Sequence, residues 1–125
     1  MPRYVILEHD APWGRHWDLL LETASLLSAW AIQCPPDEPG EHPAEKLPDH
    51  RRLYLEYEGP ISGNRGTVRR WDWGEYRIRR RGEDLLEFSV RGERWRGFVR
   101  LMRSQSAPAK WSLCYSPESA DGSPG

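Results

Sequence analysis

The run Arg3-Tyr4-Val5-Ile6-Leu7-Glu8-His9, followed after Pro12-Trp13-Gly14 by His16-Trp17-Asp18-Leu19-Leu20-Leu21-Glu22, decides how this chain folds. Both stretches are short, apolar and aromatic, which predicts strands, and Pro12-Trp13-Gly14 supplies a turn that folds one against the other. Side chains alternate along a strand, so His16 and Asp18 project from one face, two residues apart. His9, at the end of the first strand, is brought toward them. Two imidazoles and one carboxylate on adjacent strands can ligate a divalent cation and leave positions open for water or substrate oxygens. Histidines and aspartates also commonly face solvent, so the cluster alone is a candidate and no more.

Outward from this hairpin the chain reads as strands. Leu26–Ile32 is apolar and stops at Cys34-Pro35-Pro36. Asp37–Pro48, with several prolines and charges, predicts a loop with room for a short helical turn around Ala44-Lys46. Leu53–Tyr57, Gly66–Trp71, Glu75–Arg79, Leu85–Val90, Trp95–Met102 and Lys110–Tyr115 follow as strands, with a turn expected at Asp72-Trp73-Gly74. About eight short strands with close turns predict an all-β fold, an antiparallel β-barrel carrying a Pro-rich loop and at most one short helix. The expected organisation is one domain over residues 1–116 and a Ser/Pro/Gly-rich disordered tail over 117–125.

Composition narrows the partners. The 125 residues carry a net charge of −1, which gives no global pull toward nucleic acid, although residues 65–103 are rich in arginine and 37–49 lean acidic. An arginine-rich surface can bind phosphates; it can equally be the solvated outer face of strands. No apolar run approaches the roughly 20 residues of a spanning helix, and Met-Pro-Arg-Tyr lacks a signal peptide's apolar core. Cys34 and Cys114 show no metal-type spacing and read as reduced thiols, so a cytoplasmic protein without membrane attachment is expected. Oligomeric state is not legible.

A second group of candidates is Asp49-His50-Arg51-Arg52-Leu53-Tyr54. Histidine, arginine and tyrosine donate hydrogen bonds to phosphate oxygens, and a protonated histidine can give a proton to a leaving oxygen near neutral pH. The same stretch also reads as a charged loop end with Tyr54 packed as an ordinary strand aromatic.

The chain resembles the 3′-phosphoesterase domain found at the N-terminus of bacterial DNA ligase D and as stand-alone proteins. The resemblance is carried by Tyr4–Ala11, His16–Glu22, Ser28-Ala29-Trp30-Ala31-Ile32, Pro39-Gly40-Glu41, Asp49–Tyr54 and Tyr57-Glu58-Gly59. Gly66-Thr67-Val68, Trp71-Asp72, Gly74, Phe88, Gly92-Glu93, Gly97 and Lys110-Trp111-Ser112-Leu113 follow in the same order. It implies an antiparallel β-barrel that uses manganese to trim 3′-phosphate or 3′-ribonucleotide ends of DNA to a 3′-hydroxyl, as a hydrolase of DNA repair. His9, His16 and Asp18 would hold Mn²⁺, or another first-row divalent metal, and with His50 carry the catalysis. His50 and Tyr54 would contact the phosphate. DNA 3′ ends are the expected substrate, with a ligase or polymerase acting in trans. The ligands are expected to converge in the barrel's mouth.

Departures from the family pattern suggest an alternative. Its arginine two residues beyond the strand aspartate is Leu20, its lysine after the third strand is Cys34, and its next arginine falls near His42 or Pro43. Arg15, Arg51 and Arg52 are the expected replacements, Arg52 because a strand would place it on the face of Tyr54. Each charge-assisted hydrogen bond lost costs about 1.5–3 kcal/mol. A catalytically weakened or inactive relative that binds DNA ends or a repair partner is therefore the second reading.

Overall fold

The computed structural model describes residues 2–118. Among them, nine strands form one antiparallel sheet: β1 (Arg3–Ala11), β2 (Gly14–Glu22), β3 (Leu27–Ile32), β4 (Gly40–His50), β5 (Gly59–Pro60), β6 (Thr67–Arg81), β7 (Leu85–Arg91), β8 (Arg96–Arg103) and β9 (Lys110–Pro117). Their order is β1-β2-β3-β4-β9-β8-β7-β6-β5, and a further β1–β6 pairing closes eight of them into a barrel-like ring. The all-β antiparallel expectation holds. No helix among the described residues is long and apolar enough to cross a membrane.

The ring's interior is filled from every side. Tyr4 and Ile6, Trp17 and Leu19, Trp30 and Ile32, Phe88 and Val90, Val99 and Leu101, and Leu113 and Tyr115 all belong to one buried cluster with Trp95 at its heart. The alternate residues of β1, β2 and β3 face outward, yet Val5, Leu7, Leu20, Leu27 and Ala29 are buried as well. They form a second cluster with Val68 of β6, capped by Leu55 of a 3₁₀ helix at Arg52–Leu55 and flanked by Tyr54, Tyr57 and Ile61. The β4-to-β6 connection thus roofs the outer wall of the ring, removing from water a strip of sheet that would otherwise be an exposed apolar patch.

Three expectations are corrected. Residues 40–50 are strand, not loop or helical turn: β4 pairs β3 on one side (Ile32 opposite Ala44) and β9 on the other (Ala44 opposite Trp111). Leu53–Tyr57 is not a strand; the short helix lies here instead. Asp72-Trp73-Gly74 is not a turn but the middle of β6, which continues, past a register shift at Trp71, from its pairing with β1 to its pairing with β7. Gly74 is there because a Cβ would stand 2.2 Å from the Arg91 carbonyl oxygen. Asp72 is there as an acceptor. It takes hydrogen bonds from the Tyr4 hydroxyl at 2.6 Å and from the backbone N–H groups of Glu93, Arg94 and Trp95 at 3.0–3.2 Å.

The C-terminal boundary also moves. β9 includes Pro117, and the Glu118 N–H donates to the Arg96 carbonyl at 2.7 Å, so the expected tail begins inside the sheet. Residues 119–125 of that tail lie outside the described residues. Many arginines of 65–103 are engaged locally: Arg69 with Glu8, Arg80 and Arg100 with Glu87, Arg70 over the Trp73 ring, Arg94 over Trp71.

Candidate active site

The β1–β2 register sets His9 directly opposite His16 and Leu7 opposite Asp18, so the period of two puts all three polar side chains on the outward face. They continue the row of Val5, Leu7 and Leu20 toward the hairpin turn, just beyond the edge of the apolar roof. The triad therefore sits on the ring's outer wall, not in its mouth, because the interior positions are taken by Trp17 and Leu19.

The ligand atoms converge. His9 Nδ1 lies 3.2 Å from His16 Nε2 and 3.3 Å from Asp18 Oδ2, and His16 Nε2 lies 3.0 Å from Asp18 Oδ1. Donors held at roughly 2.0–2.2 Å around one first-row ion stand about this far apart. His9 and Asp18 are 8% and 4% exposed. Asp18 Oδ1 is buried without a hydrogen-bond partner, since the His16 contact lacks hydrogen-bonding geometry. An unsatisfied buried carboxylate oxygen costs free energy that a cation would recover. The residues present fit a divalent ion.

A backbone carbonyl completes the set. His9 Nε2 is 2.7 Å from the Arg65 carbonyl oxygen, which can only accept, so Nε2 carries a proton and Nδ1 is the atom aimed at the centre. Gly66 makes this approach possible: at φ +90, its hypothetical Cβ would lie 1.9 Å from the Asp10 carbonyl oxygen. Without a cation the triad shares charge by protons. The hydrogen bond to Asp18 raises the His9 pKa against the opposing effect of burial. Burial pushes Asp18 up, but its contacts with His16 and His9 hold it below the usual carboxylate range.

The triad opens on a cleft of about 580 Å³ whose far wall holds His50, Arg51 and Tyr54, with Trp13, Gln33 and Arg65 at its edges. His50 Nδ1 bonds the Pro48 carbonyl at 2.9 Å, leaving Nε2 as its other nitrogen, and the Tyr54 ring meets it edge-on at 5.8 Å. The structure brings six of the sequence-predicted residues together: His9, His16, Asp18, His50, Arg51 and Tyr54. Arg52 and Arg15 do not join them. With Tyr54 on a 3₁₀ turn and not a strand, Arg52 points the other way, bonding Glu22 at 2.5 Å and the Thr23 carbonyl at 3.2 Å. Arg15 Nε bonds Asp10 Oδ1 at 2.7 Å, on the face opposite His16. Leu20, where the family has an arginine, is fully buried under Leu55. Arg65 and Trp13 carried no signal in the sequence: the first acts through its carbonyl, and the second read as turn.

An all-β ring whose outer wall carries a buried His/His/Asp set beside a cleft lined by His50, Arg51 and Tyr54 has the makings of a hydrolytic centre. A family model described as the DNA Ligase D 3′-phosphoesterase domain matches residues 7–103, and the chain belongs to that family. A search of curated proteins gives no match.

Proposed function

We propose that this protein is a metal-dependent phosphoesterase that converts 3′-phosphate or 3′-ribonucleotide ends of DNA to 3′-hydroxyls. The observation that carries the reading is the convergence of His9 Nδ1, His16 Nε2 and an orphaned Asp18 oxygen at the floor of a cleft walled by His50, Arg51 and Tyr54. A divalent cation held by His9, His16 and Asp18, Mn²⁺ by family resemblance, would supply Lewis-acid polarisation of a phosphoryl oxygen and a more acidic bound water.

The protein's own groups do the rest. His50, held at Nδ1 by the Pro48 carbonyl, presents Nε2 to protonate the leaving oxygen or to neutralise its developing charge. The Tyr54 hydroxyl donates to a phosphate oxygen, and Arg51 adds positive charge at the rim in place of the arginine replaced by Leu20. Trp13, 69% exposed and edge-on to His9 at 6.3 Å between ring centres, offers a face on which the terminal base stacks. The reading implies a cytoplasmic protein whose product end is taken up by a polymerase or ligase in trans.

The test is Mn²⁺-dependent release of phosphate from a 3′-phosphorylated primer. Turnover that disappears in His16→Ala supports the reading; turnover that survives it places the chemistry elsewhere. The second reading, a weakened relative that binds ends without cutting, is favoured by the burial of Leu20 where a phosphate contact is expected. Primer binding without turnover would select it.

A further inference from the structure

We propose that Cys34, Glu38 and His42 form a second cation site, of the zinc type, on the hairpin between β3 and β4. The hairpin's register places them together. Ile32 is opposite Ala44, and continuing two residues sets Cys34 against His42 as cross-strand neighbours. Cys34 Sγ lies 3.2 Å from His42 Nδ1, and one ligand atom from each of Cys34, Glu38 and His42 falls within 4.8 Å of the other two.

Cys34 and His42 are held in place before any ion arrives. His42 Nε2 donates to the Glu38 carbonyl at 2.8 Å, which fixes the tautomer and aims Nδ1 at the sulfur, as backbone carbonyls do for ligating imidazoles. The loop is stiffened by Pro35, Pro36 and Pro39, and the buried Trp95 indole N–H anchors it by donating to the Pro36 carbonyl at 2.8 Å. Cys34 itself packs against the interior core. Cys34 and His42 have little ordering entropy left to lose on binding, while the exposed Glu38 side chain has its own still to lose.

The donor set selects the ion. Sulfur, imidazole nitrogen and carboxylate oxygen suit zinc, and three protein ligands leave a fourth position for water, whereas magnesium and calcium disfavour sulfur. The site is separate from the first. Gln33 lines the cleft of the His/His/Asp triad, and Cys34, its neighbour on the alternating backbone, turns to the other side of the sheet.

Cobalt alone, titrated into the full chain, tests this, because only a sulfur ligand gives a thiolate-to-metal charge-transfer band and the triad has none. The expected band saturates with one ion at this site, after any cobalt taken up by the triad, and at one ion per chain where Asp18→Asn weakens the triad; it is abolished by competing Zn²⁺, persists in Cys114→Ser, and is lost in Cys34→Ser. His42→Gln should weaken the ion's affinity about tenfold or more. A wild-type chain without the band, or a band that Cys34→Ser leaves intact, overturns the proposal. In the unsubstituted protein Zn²⁺ should also slow alkylation of Cys34, read by peptide mass; equal rates with and without Zn²⁺ would overturn it as well. Neither readout depends on phosphoesterase activity.

Discussion

Two buried aspartates sit in the same ring and do opposite work. Asp72, 2% exposed, faces the interior and has both oxygens satisfied by the Tyr4 hydroxyl and three backbone N–H groups. Asp18, 4% exposed, faces the outer wall, with one oxygen orphaned and two imidazoles across from it. Burial alone does not distinguish them. What distinguishes them is whether the local hydrogen bonds close: Asp72 ties the β7–β8 turn to β6 and is complete, while Asp18 is complete only with a proton or a cation supplied from outside.

The largest effect expected from this contrast is on folding. Asp72→Ala strands several buried donors and should cost about 3–5 kcal/mol, read by chemical denaturation. A loss under about 1 kcal/mol would mean the network is not what holds the turn. Asp18→Asn should behave in reverse. Mn²⁺ affinity and phosphate release should fall roughly a hundredfold or more, while the melting temperature drops far less than in Asp72→Ala. Equal destabilisation by the two substitutions would erase the distinction.

Next in size is Trp13→Ala, expected to raise KM for single-stranded 3′ ends by about five- to a hundredfold with kcat little changed, the worth of one base–aromatic stack. An unchanged KM removes the indole from the site. The pH dependence sharpens the comparison further. The raised His9 pKa contributes stability that is fully present below its ordinary value of about 6.5 and is lost as pH rises through the raised value. The lowered Asp18 pKa contributes stability present above about 3.9 and lost as pH falls through the lowered one. The metal-free protein is thus best served by mildly acidic solution, where a cation competes with the His9 proton. Thermal melts at roughly pH 5.5 and 8.5 should show a larger Mn²⁺-induced gain at the higher pH. An equal gain at both would mean the ion does not displace that proton. The smallest effect belongs to Arg52→Ala. Its partner is Glu22 outside the cleft, so phosphate release should be unaltered and stability should fall by no more than about 1 kcal/mol; slowed release would return it to the site.

The triad was legible because strand alternation and one hairpin turn are enough to set His9, His16 and Asp18 on one face, and both are local properties of the chain. Its location was not. Which face of a hairpin looks inward depends on the rest of the ring, and β1 and β2 are apolar on both faces. β4 was hidden by Pro43 and Pro48, although its neighbours Ala44–Lys46 pair normally; an edge-to-edge fit between β3 and β9 overrides the local breaker. Leu53–Tyr57 looked like a strand because a short apolar run serves either a strand or a 3₁₀ lid that buries Leu55. Asp72 and Gly74 looked like a turn because those residue types favour turns, whereas here one accepts backbone N–H groups and the other makes room for a carbonyl. The Cys34–Glu38–His42 group leaves no cysteine-pair spacing in the sequence, because the hairpin brings together three different residue types.

The placement of the triad on the wall and not in the plugged interior has a consequence for how such a protein can change. Beyond the roof over Val5, Leu7 and Leu20, the outward positions of β1 and β2 near the turn are excused from packing either core, so His9, His16 and Asp18 can trade ligands while the inward side goes on folding the molecule undisturbed. At that end of the hairpin, chemistry and architecture are written on the same two strands in alternate letters, and selection can edit one text without smudging the other.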